Sequence, residues 1–215
     1  MTASRREMLL AIPASALIPA LAAAQPVAQP GQPGAMPPVA KDPLFAPCLL
    51  IGGRKQIENC SFALAKLQSD GCKAFAKAEI EEHETIKKNL KAQGYDYPVT
   101  PAGKPQPGQP PAWVVTAGPA KPSPDAAGMI ALDHEVAEQC VANYRKEMGK
   151  LSGNELDKRF VGNQLDTHMT LLDQVQTFRR HASPQMEGLL ADGQKVIETH
   201  VATLKRLMAE LDKSK

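Results

Sequence analysis

Histidines recur on the apolar faces of three predicted helices of this 215-residue chain, at His83, His168 and His200. A buried imidazole must be hydrogen-bonded or ligated, because burying a polar ring unpaired is costly. Three such rings from separate helices are a ligand set suited to zinc, copper or iron. They therefore form a candidate metal site, beside the simpler alternative that they only satisfy structural hydrogen bonds.

Three further residues are predicted to lie near these rings: Gln56, Cys60 and Gln164. Gln164 stands one helical turn before His168 and is a ready hydrogen-bond partner for it. His134 and His181 are weaker candidates, since one lies in a connecting helix and the other near a helix end. A nucleophilic cysteine would need an access path that a packed bundle rarely provides, so we assign no catalytic residue.

Apolar residues at helical spacing predict the elements that position these side chains. The periodic segments cover residues 50–67, 76–90, 130–148, 156–178 and 189–211, and no strand-like alternation competes with them. Long amphipathic helices joined by short turns pack as antiparallel neighbours. The pattern therefore predicts an all-α, up-down helical bundle of four long helices plus a connecting helix, in one domain over residues 48–212.

Two proline-rich stretches flank and interrupt this domain. Seven prolines fall between residues 26 and 47, and nine more between 98 and 124. We expect a disordered N-terminus with a tether over residues 25–47, and an irregular insertion over residues 95–125. We expect the apolar segment 113–115 to pack on the bundle, and the insertion is a possible docking segment for a protein partner.

The first 24 residues are predicted to be an export signal. Basic residues Arg5 and Arg6 precede an apolar stretch that ends at the small residues 22–24. The paired arginines resemble a twin-arginine signal, with a Sec-type signal as the alternative. We therefore expect a periplasmic or secreted protein without stable membrane insertion after cleavage. The net charge of +2, with no basic block, makes nucleic acid an unlikely partner.

Several motifs resemble an exported bacterial family, the domain of unknown function numbered 4142. The matching segments lie in three blocks, Gly71–Ala76 with Glu82-His83, Leu151–His168, and His200, and Gly52-Gly53 resembles the start of the family pattern. The resemblance covers roughly residues 48–211 and implies a ferritin-like bundle of unsettled activity. Gln56 stands where the family usually has a glutamate.

The usual di-iron motif of ferritin-like proteins, Glu-x-x-His, is missing from the chain. The residues three positions before the histidines are Ile80, Leu165 and Ile197. The sequence therefore predicts a site without that signature.

Helix geometry indicates whether the rings can meet. His168 and His200 each lie roughly 16 residues from the turn near residue 183, which places both about 24 Å from it. His83 would stand about one helical turn away from this pair if the turn near residue 70 lay at the same end of the bundle.

The four cysteines of an exported chain make disulfides possible. Cys48 and Cys60 are about 18 Å apart along one helix and cannot bridge. We therefore expect a disulfide between Cys60 and Cys140, which both lie at inward-facing positions of the pattern.

Two functions follow from these observations. The first is an exported binding or stress-related protein without catalysis, which is our prediction. The second is a metal-binding ferritin-like protein that uses the core histidines.

Overall fold

The computed structural model describes residues 41–101, 113–115 and 123–213. Within these ranges the chain forms five helices, α1 Asp42–Leu64, α2 Asp70–Ala92, α3 Pro124–Gly149, α4 Gly153–Arg179 and α5 Pro184–Lys213. Two short strands, β1 Val99–Pro101 and β2 Trp113–Val115, lie between α2 and α3. The predicted helical bundle is confirmed. The predicted export signal and the tether up to residue 40 lie outside the described residues.

The bundle consists of two helical hairpins and a crossing helix. Helix α1 packs against α2, and α4 packs against α5. Helix α3 runs parallel to α1, since Arg145 of α3 bonds to Glu58 of α1 and Gly149 lies against Phe62. The chain therefore returns along the full length of the first hairpin before it begins the second.

Two apolar layers fill the interior at different heights. One contains Phe75, Leu156, Phe160 and Leu204, and the other contains Leu50, Leu90, Val175, Leu190 and Ile197. Between these layers the helices place polar side chains in the core. This polar layer contains the candidate site.

Each end of the bundle is fixed by a buried or half-buried aspartate. Asp157 of α4 accepts hydrogen bonds from the backbone N–H groups of Gln68 and Ser69, at 3.0 and 2.7 Å. Asp42 at the start of α1 binds the backbone N–H and the hydroxyl of Ser183, in the turn between α4 and α5. The two hairpin turns therefore lie at opposite ends of the bundle. The register estimate for His83, which required them to share an end, does not apply.

Helix α1 begins six residues before the predicted domain boundary at residue 48. Pro47, which the sequence pattern assigns to the tether, lies inside this helix. Pro43 occupies the first turn, where its missing N–H group has no intrahelical partner to lose. Phe45 stacks on Phe178 with ring centroids 4.2 Å apart, and this packing holds the first turns on the bundle.

The insertion over residues 95–125 was predicted to be irregular, but two of its segments form short strands. Strands β1 and β2 pair antiparallel, with Val99 opposite Val115. Both valines pack against Ile51, Ile130 and Ala137. The pairing brings together residues that are far apart in sequence, which local patterns do not reveal. The expected contact of segment 113–115 with the bundle is present at Val115.

None of the described helices is long and apolar enough to cross a membrane.

Replacing Asp157 tests the connection between α4 and the start of α2. We predict that Asp157→Ala lowers the free energy of unfolding by about 2 to 4 kcal/mol, because two half-buried N–H groups lose a charged acceptor. Asp157→Asn keeps one acceptor oxygen and should recover part of this loss. Urea denaturation measures both values. An alanine variant as stable as the original protein would show that water replaces the carboxylate.

Candidate metal centre

Glu79 is the centre of the polar layer. It lies on the inward face of α2, one turn after Phe75, and only 1% of its surface is exposed. Its Oε1 atom lies 3.0 Å from Nε2 of His168 and 2.7 Å from Nδ1 of His200. These two nitrogen atoms are 3.2 Å apart. One carboxylate and two imidazoles from three helices therefore converge on one point.

A second set of contacts lies toward the solvent. Nε2 of His83 is 3.5 Å from the other Glu79 oxygen, Oε2. Nε2 of His200 is 3.2 Å from Oε2 of Glu82, whose side chain is 40% exposed. The side chains of His83 and His200 are 12% and 13% exposed. The centre is thus buried on the α4 side and reaches solvent between α2 and α5.

The backbone orients His168. Its Nδ1 atom lies 2.8 Å from the carbonyl oxygen of Gln164, one turn earlier in α4. Since a carbonyl only accepts, Nδ1 carries a proton and donates it. Nε2 is thus the atom that faces Glu79 and His200: with a proton it donates to Oε1 of Glu79, and without one its lone pair is available to a metal ion. A backbone bond of this kind fixes the tautomer of metal-ligating histidines.

Phe75 closes the inner side of the centre. Its ring meets those of His168 and His200 edge to face, with centroid distances of 5.8 and 5.3 Å. The apolar wall limits access of water to this side. It also restricts the rotation of both imidazoles, so their nitrogen atoms remain directed toward Glu79.

Burial and charge act in opposite directions on the pKa of Glu79. Burial raises it, but the contacts with His168, His200 and His83 outweigh burial and hold the pKa well below its usual range. Glu79 is therefore an anion in the core. Burial also lowers the pKa of His200, but Glu79 and Glu82 outweigh this effect and raise it to about 9. The core anion is thus balanced by a protonated His200 at neutral pH.

The three predicted neighbours form a buried chain beside the centre. Nε2 of Gln56 donates to Oε1 of Gln164 at 3.1 Å, and Nε2 of Gln164 lies 3.5 Å from Sγ of Cys60. Burial raises the pKa of the Cys60 thiol well above its usual value. A neutral thiol is a poor metal ligand. These side chains support His168 through Gln164 and do not complete the donor set.

Sequence reasoning missed Glu79, and it used Glu82 only as part of the family resemblance and not as a site residue. The search for a carboxylate three residues before each histidine found Ile80 ahead of His83. Glu79 stands four residues before His83, which also places it on the same helix face. A search at both spacings finds the pair Glu79 and His83.

The remaining histidines lie elsewhere. His134 is buried on α3, where Nδ1 lies 3.0 Å from the hydroxyl of Tyr97. Burial lowers its pKa. His181 is exposed in the turn between α4 and α5. Neither belongs to the Glu79 cluster.

The predicted disulfide between Cys60 and Cys140 is not formed, and all four cysteines are free thiols. Cys60 is buried between α1 and α4, whereas Cys140 is exposed on α3. The buried face of α3 passes through Ala137, Val141 and Tyr144. Cys140 precedes Val141 by one residue, which rotates its side chain about 100° from that of Val141, to the exposed border of this face.

No protein-family model matches the chain, and neither a curated protein nor a solved structure matches it. The resemblance to family 4142 stays a prediction. Arguments about function accordingly depend on the geometry of the Glu79 cluster.

His200 gives the stability of the protein a pH dependence of known sign. Its folded pKa of about 9 lies above the ordinary value of 6.5, so its stabilisation is complete below about pH 6.5 and is lost as the pH rises through 9. In the presence of a chelator, we predict that the difference in unfolding free energy between the original protein and His200→Gln shrinks by roughly 2 to 3 kcal/mol between pH 6 and 9.5.

The difference in unfolding free energy between the two proteins does not contain the contribution of the buried thiols. Burial raises the pKa of Cys48 and Cys72 to about 11, so both also reduce stability at high pH, but equally in the two proteins. Urea denaturation across this pH range gives the comparison. A difference that stays constant would show that His200 gains no proton affinity on folding.

Proposed function

We propose that this protein is a metal-binding helical bundle that holds a divalent first-row transition metal between Glu79, His168 and His200. The observation that carries the proposal is the convergence of Oε1, Nε2 and Nδ1 from three helices, with mutual distances of 2.7 to 3.2 Å. Protein–metal bonds of nitrogen and oxygen ligands are about 2.0 to 2.2 Å long. The three donors are therefore close enough to share one ion.

The spacing of the donors favours one coordination type. For an ion about 2.1 Å from each donor atom, the three donor–ion–donor angles would be roughly 80 to 100°. Such angles suit one face of an octahedron, which leaves further positions for water or a small ligand. Two histidines and one carboxylate in this arrangement are typical of ferrous iron sites and also suit zinc. We therefore propose iron or zinc as the ion.

The charges of the centre also support a cation. The buried Glu79 anion is balanced by the extra proton of His200, which a divalent ion would replace. Oε2 of Glu79 is buried and has no hydrogen-bond partner within the described part of the chain. A carboxylate oxygen that is buried without a hydrogen bond is costly, and a bound cation removes this cost.

The wider setting of the proposal is an exported, ferritin-like protein that binds without catalysis. Two helical hairpins joined by one long crossover are the arrangement of ferritin-like folds, and the packing of α1 on α2 and of α4 on α5 supports this assignment. The likeness to family 4142 and the pattern of residues 1–24 support export to the periplasm. The geometry thus favours the metal-binding alternative over a binding protein of unspecified ligand.

Glu79→Gln tests the metal site with little change in side-chain volume. After removal of metal with a chelator, equilibrium dialysis against zinc or anaerobic ferrous iron should show at least about 100-fold weaker binding for this variant, because the only anionic donor of the three is lost. Glu84→Gln is the matched control, since Glu84 is an exposed carboxylate of the same helix. Equal binding by Glu79→Gln and the original protein, or no binding by either, would contradict the proposal.

Replacing Arg5 and Arg6 by lysine tests the export route. A twin-arginine signal depends on both guanidinium groups, so the uncleaved precursor should accumulate in the cytoplasm of a bacterial host. Cell fractionation with an antibody against the bundle measures this. Unchanged export of the double-lysine variant would instead indicate a Sec-type signal.

A further inference from the structure

The two oxygen atoms of Glu79 face different groups of donors. Oε1 contacts His168 and His200, whereas Oε2 lies 3.5 Å from Nε2 of His83. We propose a second cation position between Oε2 of Glu79 and Nε2 of His83, so that Glu79 bridges two metal ions. This inference builds on the metal site proposed above and adds a second ion to it.

The separation of 3.5 Å is the main argument for this position. Oε2 makes no hydrogen bond within the described residues, although it is buried. Two donors 3.5 Å apart would subtend about 110° at an ion bound at about 2.1 Å, which is close to a tetrahedral angle. The gap between Oε2 and Nε2 therefore fits a metal ion in its usual geometry.

Gly53 on α1 provides the space for the His83 ring. A Cβ atom at position 53 would lie 3.2 Å from Nδ1 of His83, closer than an ordinary van der Waals contact. Any larger residue would therefore push the ring and change the distance between Nε2 and Oε2. The glycine thus permits the present position of the second donor.

Glu82 lies at the solvent edge of the centre. It immediately precedes His83 and contacts His200. The partial exposure of Glu82, His83 and His200 gives an ion a path from solvent between α2 and α5. The centre is therefore open to solvent beside Glu82, and Phe75 closes the side of His168 and His200 that faces the core.

Charge predicts the order in which the positions fill. Glu79 and Glu82 together carry a charge of −2, which one divalent ion neutralises. A second ion then enters a neutral centre and must bring an anion or hydroxide from solvent. Binding should accordingly occur in two steps, with the second step the weaker.

Manganese(II) titration tests the inference, with free Mn²⁺ measured by electron paramagnetic resonance and bound metal by elemental analysis after dialysis. We expect two equivalents in the original protein and an exchange-coupled spectrum at saturation. His83→Gln should bind one equivalent and show no coupling. His181→Gln, which alters an exposed histidine outside the cluster, should still bind two.

A second variant guards against a folding defect in His83→Gln. Gly53→Ala keeps every donor but displaces the His83 ring, so it should weaken the second step at least about tenfold and leave the first unchanged. One equivalent in the original protein, with no change in either variant, would overturn the second position while leaving the first intact. No binding of any metal by the original protein would instead overturn the proposed function itself.

Discussion

The structure depends on the burial of one carboxylate in the middle of a helical bundle. Glu79 has 1% of its surface exposed. Among the described residues, the groups that compensate its charge are imidazoles on α2, α4 and α5, and no backbone N–H group donates to it. Removing the compensation would leave a buried charge, which costs several kcal/mol. The relative positions of these helices are therefore tied to one polar cluster.

The cluster around Glu79 explains why a polar layer separates the two apolar layers. Phe75 and Phe160 lie on one side of the cluster, and Val175 and Ile197 lie on the other. A continuous apolar core of the same size would stabilise a bundle equally well or better. In this polar layer Gln164 orients His168, Phe75 closes one side and Glu82 faces solvent. Such an arrangement is more easily understood as a binding centre than as packing.

Much of the fold follows from the sequence, because apolar spacing predicts helices well when they are long. Each of the last four helices contains its predicted segment and ends within two residues of it, although α2, α3 and α5 begin five or six residues earlier. Ser183 caps α5 by accepting a hydrogen bond from the N–H of Met186. The start of α1 was missed because Pro47 dominates the local pattern, whereas packing of Phe45 decides the structure. Strands β1 and β2 were missed because each is stabilised by a partner remote in sequence.

The candidate site was predictable only in part, because its charge depends on contacts between helices. Positions on helix faces placed His168 and His200 at one height, and the structure brings their nitrogen atoms within 3.2 Å. The sequence did not show that Glu79 would be ionised in the core, because burial alone raises the pKa of a carboxyl group. Only the contacts with histidines reverse that effect, and the two closest, with His168 and His200, come from other helices and are invisible to a search along one helix.

Anomalous X-ray diffraction from a zinc-loaded crystal tests the central claim most directly. The account predicts an anomalous peak about 2.1 Å from Oε1 of Glu79, Nε2 of His168 and Nδ1 of His200. The claim would be contradicted if the peak were absent from this position while Oε1 of Glu79 and Nδ1 of His200 remained 2.7 Å apart. That result would identify the cluster as a purely structural ion pair.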